Sequence, residues 1–166
     1  MSSVAKFCEW LAGTPLSLMV QSLEWIIPTV QTVHILAIAV VMSSVVLVDL
    51  RLLGVAGRQQ PISALTGRFF PWVWTALVVL FASGVVLIIG EPARELLNNV
   101  FIAKMALLLA AIALTVGFQL SVGRNQAAWD ASATRSSGAT LLALVSLALW
   151  VAIVFCGRWI AYVEHG

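Results

Sequence analysis

The sequence predicts an all-α integral membrane protein, a four-helix bundle with a short interfacial helix at its N-terminus. Composition and charge spacing predict it. Of 166 residues, 61% are hydrophobic and only 10% are charged, whereas a soluble domain carries roughly a quarter charged residues. Mean hydropathy is +1.04. The charges are also clustered, leaving four apolar stretches long enough for the roughly 20 residues that a helix needs to cross about 30 Å of hydrocarbon. A water-soluble domain is excluded on these grounds. Nine Lys and Arg against seven Asp and Glu give a net charge of +2, too few cations for a nucleic-acid groove. Two cysteines cannot form a disulfide scaffold, and no Cys/His run has zinc-site spacing.

At the N-terminus, Lys6 is followed by Glu9, Thr14, Pro15, Gln21 and Glu24, which breaks up the continuous apolar core that a secretion signal requires. Thr14 before Pro15 is a helix start, with a hydroxyl cap and proline at the first helical position. Pro15 to Trp25 reads as a short amphipathic helix at the outer interface, bent by Pro28 into the first span. A single long kinked helix is the competing reading. The spans themselves are expected at about 26–48, 69–90, 98–121 and 137–159, within one domain covering 1–166. They are apolar on every side, as lipid-solvated helices are, and lack the short alternating pattern of barrel strands. Ala76, Ser83 and Gly90 recur every seven residues in the second span, a spacing of small residues that lets helix backbones approach.

Orientation follows from loop cations, which are retained on the cytoplasmic side. Arg51, Arg58, Arg68, Arg124 and Arg135 lie on one side, and Lys6, Arg94 and Arg158 on the other. Both termini and the Glu91–Asn98 turn are therefore expected in the periplasm, with the protein in a bacterial inner membrane. Trp25, Trp72, Trp74 and Trp159 fall near span ends, where an indole prefers the interface; Trp150 sits mid-span.

A titratable side chain in hydrocarbon costs at least about 2.5 to 3.5 kcal/mol on insertion scales and so demands a partner or a purpose. His34 and Lys104 are the two clear cases, at similar depth from the outer side. Gln31 lies within about 60° of His34 around the helix. Glu91, Asn98 and Arg158 complete an expected outer polar cluster with them. His34 has three readings: a neutral imidazole bonded between helices, a haem or metal ligand, and a proton relay. Lys104 either snorkels to the headgroups or pairs with Glu91 or an acidic ligand group. Met105, next in the chain, offers a soft ligand for haem or Cu(I). Asp49 is expected to pair with a cation elsewhere, such as Arg68, because Arg51 at offset two faces away. Cys8 and Cys156 share the outer side, as a disulfide or as two small apolar residues.

The run Trp25-Ile26-Ile27-Pro28-Thr29-Val30-Gln31-Thr32-Val33-His34-Ile35-Leu36, with Val48-Asp49-Leu50-Arg51-Leu52-Leu53-Gly54, resembles an uncharacterised family of small bacterial four-helix membrane proteins, a domain of unknown function. Phe70-Pro71-Trp72-Val73-Trp74, Phe101-Ile102-Ala103-Lys104-Met105 and Gly157-Arg158-Trp159-Ile160-Ala161-Tyr162 extend the pattern. The resemblance implies a fold and no activity. More distantly, the chain is similar to transmembrane b-type cytochromes and copper-resistance D-type proteins, which implies haem b or copper held between helices. It departs from the cytochromes in having one intramembrane histidine, so a haem would need Met105, His165 folded back, or a second copy's His34.

No nucleophile with a base, phosphate loop or carboxylate pair is present, and the chain is read as non-catalytic. The leading expectation is a helical subunit, or a homo-oligomer, in contact with lipid and other membrane subunits. A haem or copper protein is the first alternative and a small transporter or channel the second.

Overall fold

A computed structural model of the chain describes residues 3–131, 136–160 and 162. The loop charge Arg135, Ala161 of the C-terminal motif and the candidate ligand His165 lie outside them. The described residues form α1 (Ser3–Ala12), α2 (Pro15–Ser22), α3 (Ile26–Leu52), α4 (Ile62–Gly90), α5 (Pro92–Leu96), α6 (Asn99–Arg124), α7 (Gln126–Ala131) and α8 (Ser137–Trp159), without a strand. Four of them, α3, α4, α6 and α8, are long and apolar enough to cross a membrane.

Helix ends are set by capping residues. Thr14 is extended, and its hydroxyl accepts from the Ser17 amide at 3.3 Å, with Pro15 opening α2. The break before α3 falls at Leu23, whose backbone is extended, and not at Pro28. Pro28 sits in the first turn of α3, where its missing N–H leaves no bond unmade. At the other end of α3, Gly54 has φ +66°. Its amide donates to the Arg51 carbonyl and the Val55 amide donates to the Leu50 carbonyl, both at 3.0 Å. That pair of bonds is the Schellman closure, which needs a left-handed residue. α3 consequently continues past Asp49 and Arg51, beyond the expected span. α4 likewise starts at Ile62, after Pro61 at the N-cap, and carries Arg68 within the helix. Asn98 caps α6 through Val100 and Ser136 caps α8 through Ala139.

α3 packs along α4 and also against α8, and α8 packs along α6. Val41, Val45, Val73, Ala76, Ala111, Ala143 and Trp150 form the centre of the core. α4 and α6 touch sparsely, so the bundle is open on that side. α1 lies against α5, and α2 against the end of α4; the end of the bundle they cover is the terminal side, and that of the α3–α4 turn is the loop side. Ser17 donates to the Ile89 carbonyl at 2.6 Å and Gln21 to the Gly90 carbonyl at 3.0 Å. Two carbonyls at the C-terminus of α4 thus gain partners from another helix.

The expected Asp49–Arg68 pair does not form. Arg68 is exposed, with its guanidinium 5.8 Å from the Phe69 ring centre. Asp49 is 4% exposed and faces Ser146 on α8. The reason is helical phase: Asp49 shares the inward face with Val41, Val45 and Val48, whereas Arg68 points outward.

Candidate functional site

His34 lies about 12 Å along α3 from its start on the terminal side. Its Nδ1 is 2.7 Å from the hydroxyl of Ser83 on α4. The Ser83 hydroxyl also lies 2.7 Å from the Val79 carbonyl and 3.2 Å from that of Leu80, so it has acceptors on its own helix for its single proton. When the hydroxyl gives its proton to its own helix, it accepts from Nδ1–H, and the neutral imidazole then keeps a lone pair on Nε2. Gly84 lets the α4 backbone lie against the ring; a Cβ there would sit 3.8 Å from Cε1 of His34. Ser83, Ala76 and Gly90 are all buried. Gly90 is the tightest of the three, since an added Cβ would meet Ile27 and Val20 at 3.2 Å.

Lys104 on α6 runs along α8, its Nζ 3.6 Å from where a Cβ on Gly157 would be. Its charge is within electrostatic reach of His34, Glu95 and Cys156. Burial in α5 pushes the Glu95 carboxyl above the ordinary range, an effect that Lys104 and Arg94 oppose. The acid that accompanies Lys104 is thus Glu95, in place of the expected Glu91, which forms an ion pair with Arg94.

The remaining members of the expected cluster separate into local contacts. Gln31 is exposed and makes no bond to His34. Asn98 is 2% exposed; its Nδ2 donates to the Ile160 carbonyl at 3.4 Å, which ties the start of α6 to the end of α8. Arg158 is exposed and holds Tyr162, both by a hydrogen bond to its hydroxyl and with the guanidinium 4.9 Å from the ring centre. Met105 is half-buried and turned about 100° around α6 from Lys104. Cys8 and Cys156 are free thiols, with Cys8 donating to the Pro92 carbonyl at 3.6 Å.

Sequence reasoning placed Ser83 in a packing seam and missed its bond to His34. Serine in a span can bond its own helix, so nothing local marks one that also accepts from another helix. Ser17 and Gln21 were missed as caps for α4 for a related reason: their acceptors lie far along the chain. Among the described residues, no three His, Cys, Asp or Glu side chains are grouped to hold a metal ion.

Described residues whose elements are all helical, with four apolar helices long enough to cross a membrane and an imidazole on one of them facing a serine, fit a polytopic membrane protein of unassigned activity. The chain belongs to the DUF6644 family, a family of unknown function, which it matches over residues 7–163. No curated protein and no solved structure matches it.

Proposed function

We propose that the protein is a helical membrane subunit that assembles with copies of itself through α6 and carries its polar site around His34 on the outer side. The observation that supports this reading is the exposed face of α6. Ala103, Ala106, Ala110, Ala113 and Gly117 are all exposed and follow one another at alternating spacings of three and four, so they form one continuous stripe along the helix. α6 exposes Ile102, Leu109 and Leu120 beside this stripe, and the other spans present large side chains outward as well, such as Trp72, Val78 and Phe81 on α4, or Leu141, Leu144 and Phe155 on α8. α6 also covers the least of itself, with 11% of its most apolar window buried against 33% for α3. Transmembrane helices associate through stripes of small residues, because there the gain comes from close backbone packing. A two-fold axis along the membrane normal would bring two α6 helices together in parallel, and one stripe would serve both copies.

Native mass spectrometry of the protein released from lipid nanodiscs tests the reading. The wild type is expected as a dimer, and the Ala106→Leu/Ala110→Leu variant as a monomer with unchanged helix content. A monomeric wild type would remove it.

A second reading rests on the tautomer of His34. A histidine that ligates a metal donates its other ring N–H to a neighbour, which holds the ring in place; Ser83 would be that neighbour for His34, leaving the Nε2 lone pair to coordinate haem b or copper or to accept from a proton donor. The absorption spectrum of the purified protein, oxidised and dithionite-reduced, together with metal analysis, tests it. A Soret band or stoichiometric metal that His34→Ala abolishes would support a ligand role, and absence of both would exclude one. We place the termini in the periplasm of a bacterial inner membrane on the loop-cation balance. A cysteine at position 94 should then react with an impermeant reagent from outside, and one at position 58 should not.

A further inference from the structure

Among the described residues, two buried side-chain polar atoms have no hydrogen-bond partner: Oδ2 of Asp49 and Nε1 of Trp150. Asp49 is one of the residues lining a small cavity on the loop side of the bundle, walled by Val45, Val48, Leu52, Leu114 and Phe118 and with the hydroxyls of Ser146 and Thr115 in its lining. Its free volume is about 20 Å³, enough for one water-sized guest.

The polar lining offers acceptors. Thr115 gives its proton to the Ala111 carbonyl at 2.8 Å, leaving lone pairs for the cavity. Ser146 lies close enough to donate to the Asp49 carboxyl and keeps its own lone pairs. No cation compensates Asp49 among the described residues. Arg51 on its own helix donates to the Gln60 carbonyl at 2.8 Å, Arg68 on α4 lies by Phe69, Arg124 at the end of α6 is exposed, and α8 carries no charge near Ser146. A buried carboxylate with a bare oxygen is costly unless it takes up a proton or a cation shares its space. Oxygen donors, a single negative charge and room for one small guest suit a hard monovalent cation and reject anions and organic ligands.

A path leads to it. Phe70 lines both this cavity and a cleft of about 240 Å³ between α4 and α6. The cleft is edged by Ser63, Thr66, Gln119 and Gln126, and by Gly67, whose carbonyl lacks a helical donor because Pro71 has no N–H.

We propose that Asp49, with Ser146 and Thr115, binds one monovalent cation, a proton held on the carboxyl or Na+, that enters past Phe70. The test uses the full chain in nanodiscs with Na+ or choline as the salt cation, reading radiolabelled Na+ binding and the infrared carboxyl band across pH. If the guest is Na+, stoichiometric binding is expected that acid displaces, that Asp49→Asn abolishes and that Thr115→Val weakens about tenfold, the equivalent of one hydrogen bond to a charged group. If it is a proton, Na+ does not bind, and a protonated-carboxyl band grows in on acidification, moves in Thr115→Val and is missing from Asp49→Asn. A wild type with neither bound Na+ nor a carboxyl band that titrates and responds to Thr115→Val overturns the proposal, whether or not Asp49→Asn folds.

Discussion

The Ser83 hydroxyl is the partner of His34 Nδ1, and by giving its own proton to the Val79 carbonyl it would accept from the ring. Removing it leaves Nδ1–H without a partner, a loss that typically costs about 1–3 kcal/mol for a buried donor. Ser83→Ala should therefore lower the thermal unfolding midpoint in detergent, while Gln31→Ala, at an exposed position, should change stability by no more than about 0.5 kcal/mol. Nitrogen NMR of labelled His34 should report the Nδ1–H tautomer in the wild type and lose it in Ser83→Ala. His34 and Lys104 were legible in the sequence because titratable groups stand out against hydrocarbon. Their neighbours were not: Ser83 is 49 positions from His34, and the choice of Glu95 over Glu91 beside Lys104 depends on the turn of α5. Asp49 was legible as a residue needing compensation, but the expected cation, Arg68, faces outward from α4.

At the scale of elements, charges marked where hydrocarbon ends and caps marked where helices end, and the two differ. Arg68 and Asp49 therefore sit on helices that run past the expected spans, up to Pro61 and the Gly54 closure. Thr14-Pro15 was legible because the cap and the amide that donates to it are three residues apart; the docking of α2 on the end of α4 was not, because it is made across distant parts of the chain. Ser17→Ala combined with Gln21→Ala should expose the Ile89 and Gly90 carbonyls and destabilise the protein by about 1–3 kcal/mol. Hydrogen exchange should localise the change to the last turn of α4. Gly90→Val should be worse, because its side chain would enter space held by Ile27 and Val20.

α7 is held differently. Asp130 accepts from the Ser63 hydroxyl at 2.5 Å and from its amide at 2.9 Å, and these bonds hold its carboxyl below the ordinary carboxylate range. A group whose folded-state value is depressed contributes stability above its unfolded value and loses that contribution as pH falls through the folded one. Amides of α7 should therefore become less protected at acid pH, below the usual carboxylate range. Asp130→Asn should show the reduced protection already at neutral pH. An α7 whose protection is the same in wild type and variant at both pH values would contradict this.

On the scale of the whole molecule, four spans were legible because each must be apolar over its full length. Their arrangement was not, since spans that are apolar all round carry little information about which side meets which neighbour. The structure supplies it: α3 and α8 occupy the middle, α4 and α6 diverge, and α6 leaves its small residues uncovered. Self-association through that stripe is the central proposal. Its most direct test is single-molecule photobleaching of the labelled protein in bilayers, diluted until chance encounters are rare. Two-step bleaching is expected for the wild type, and single-step bleaching for Ala106→Leu/Ala110→Leu. Single steps for the wild type, or two steps retained by the variant, would contradict the account.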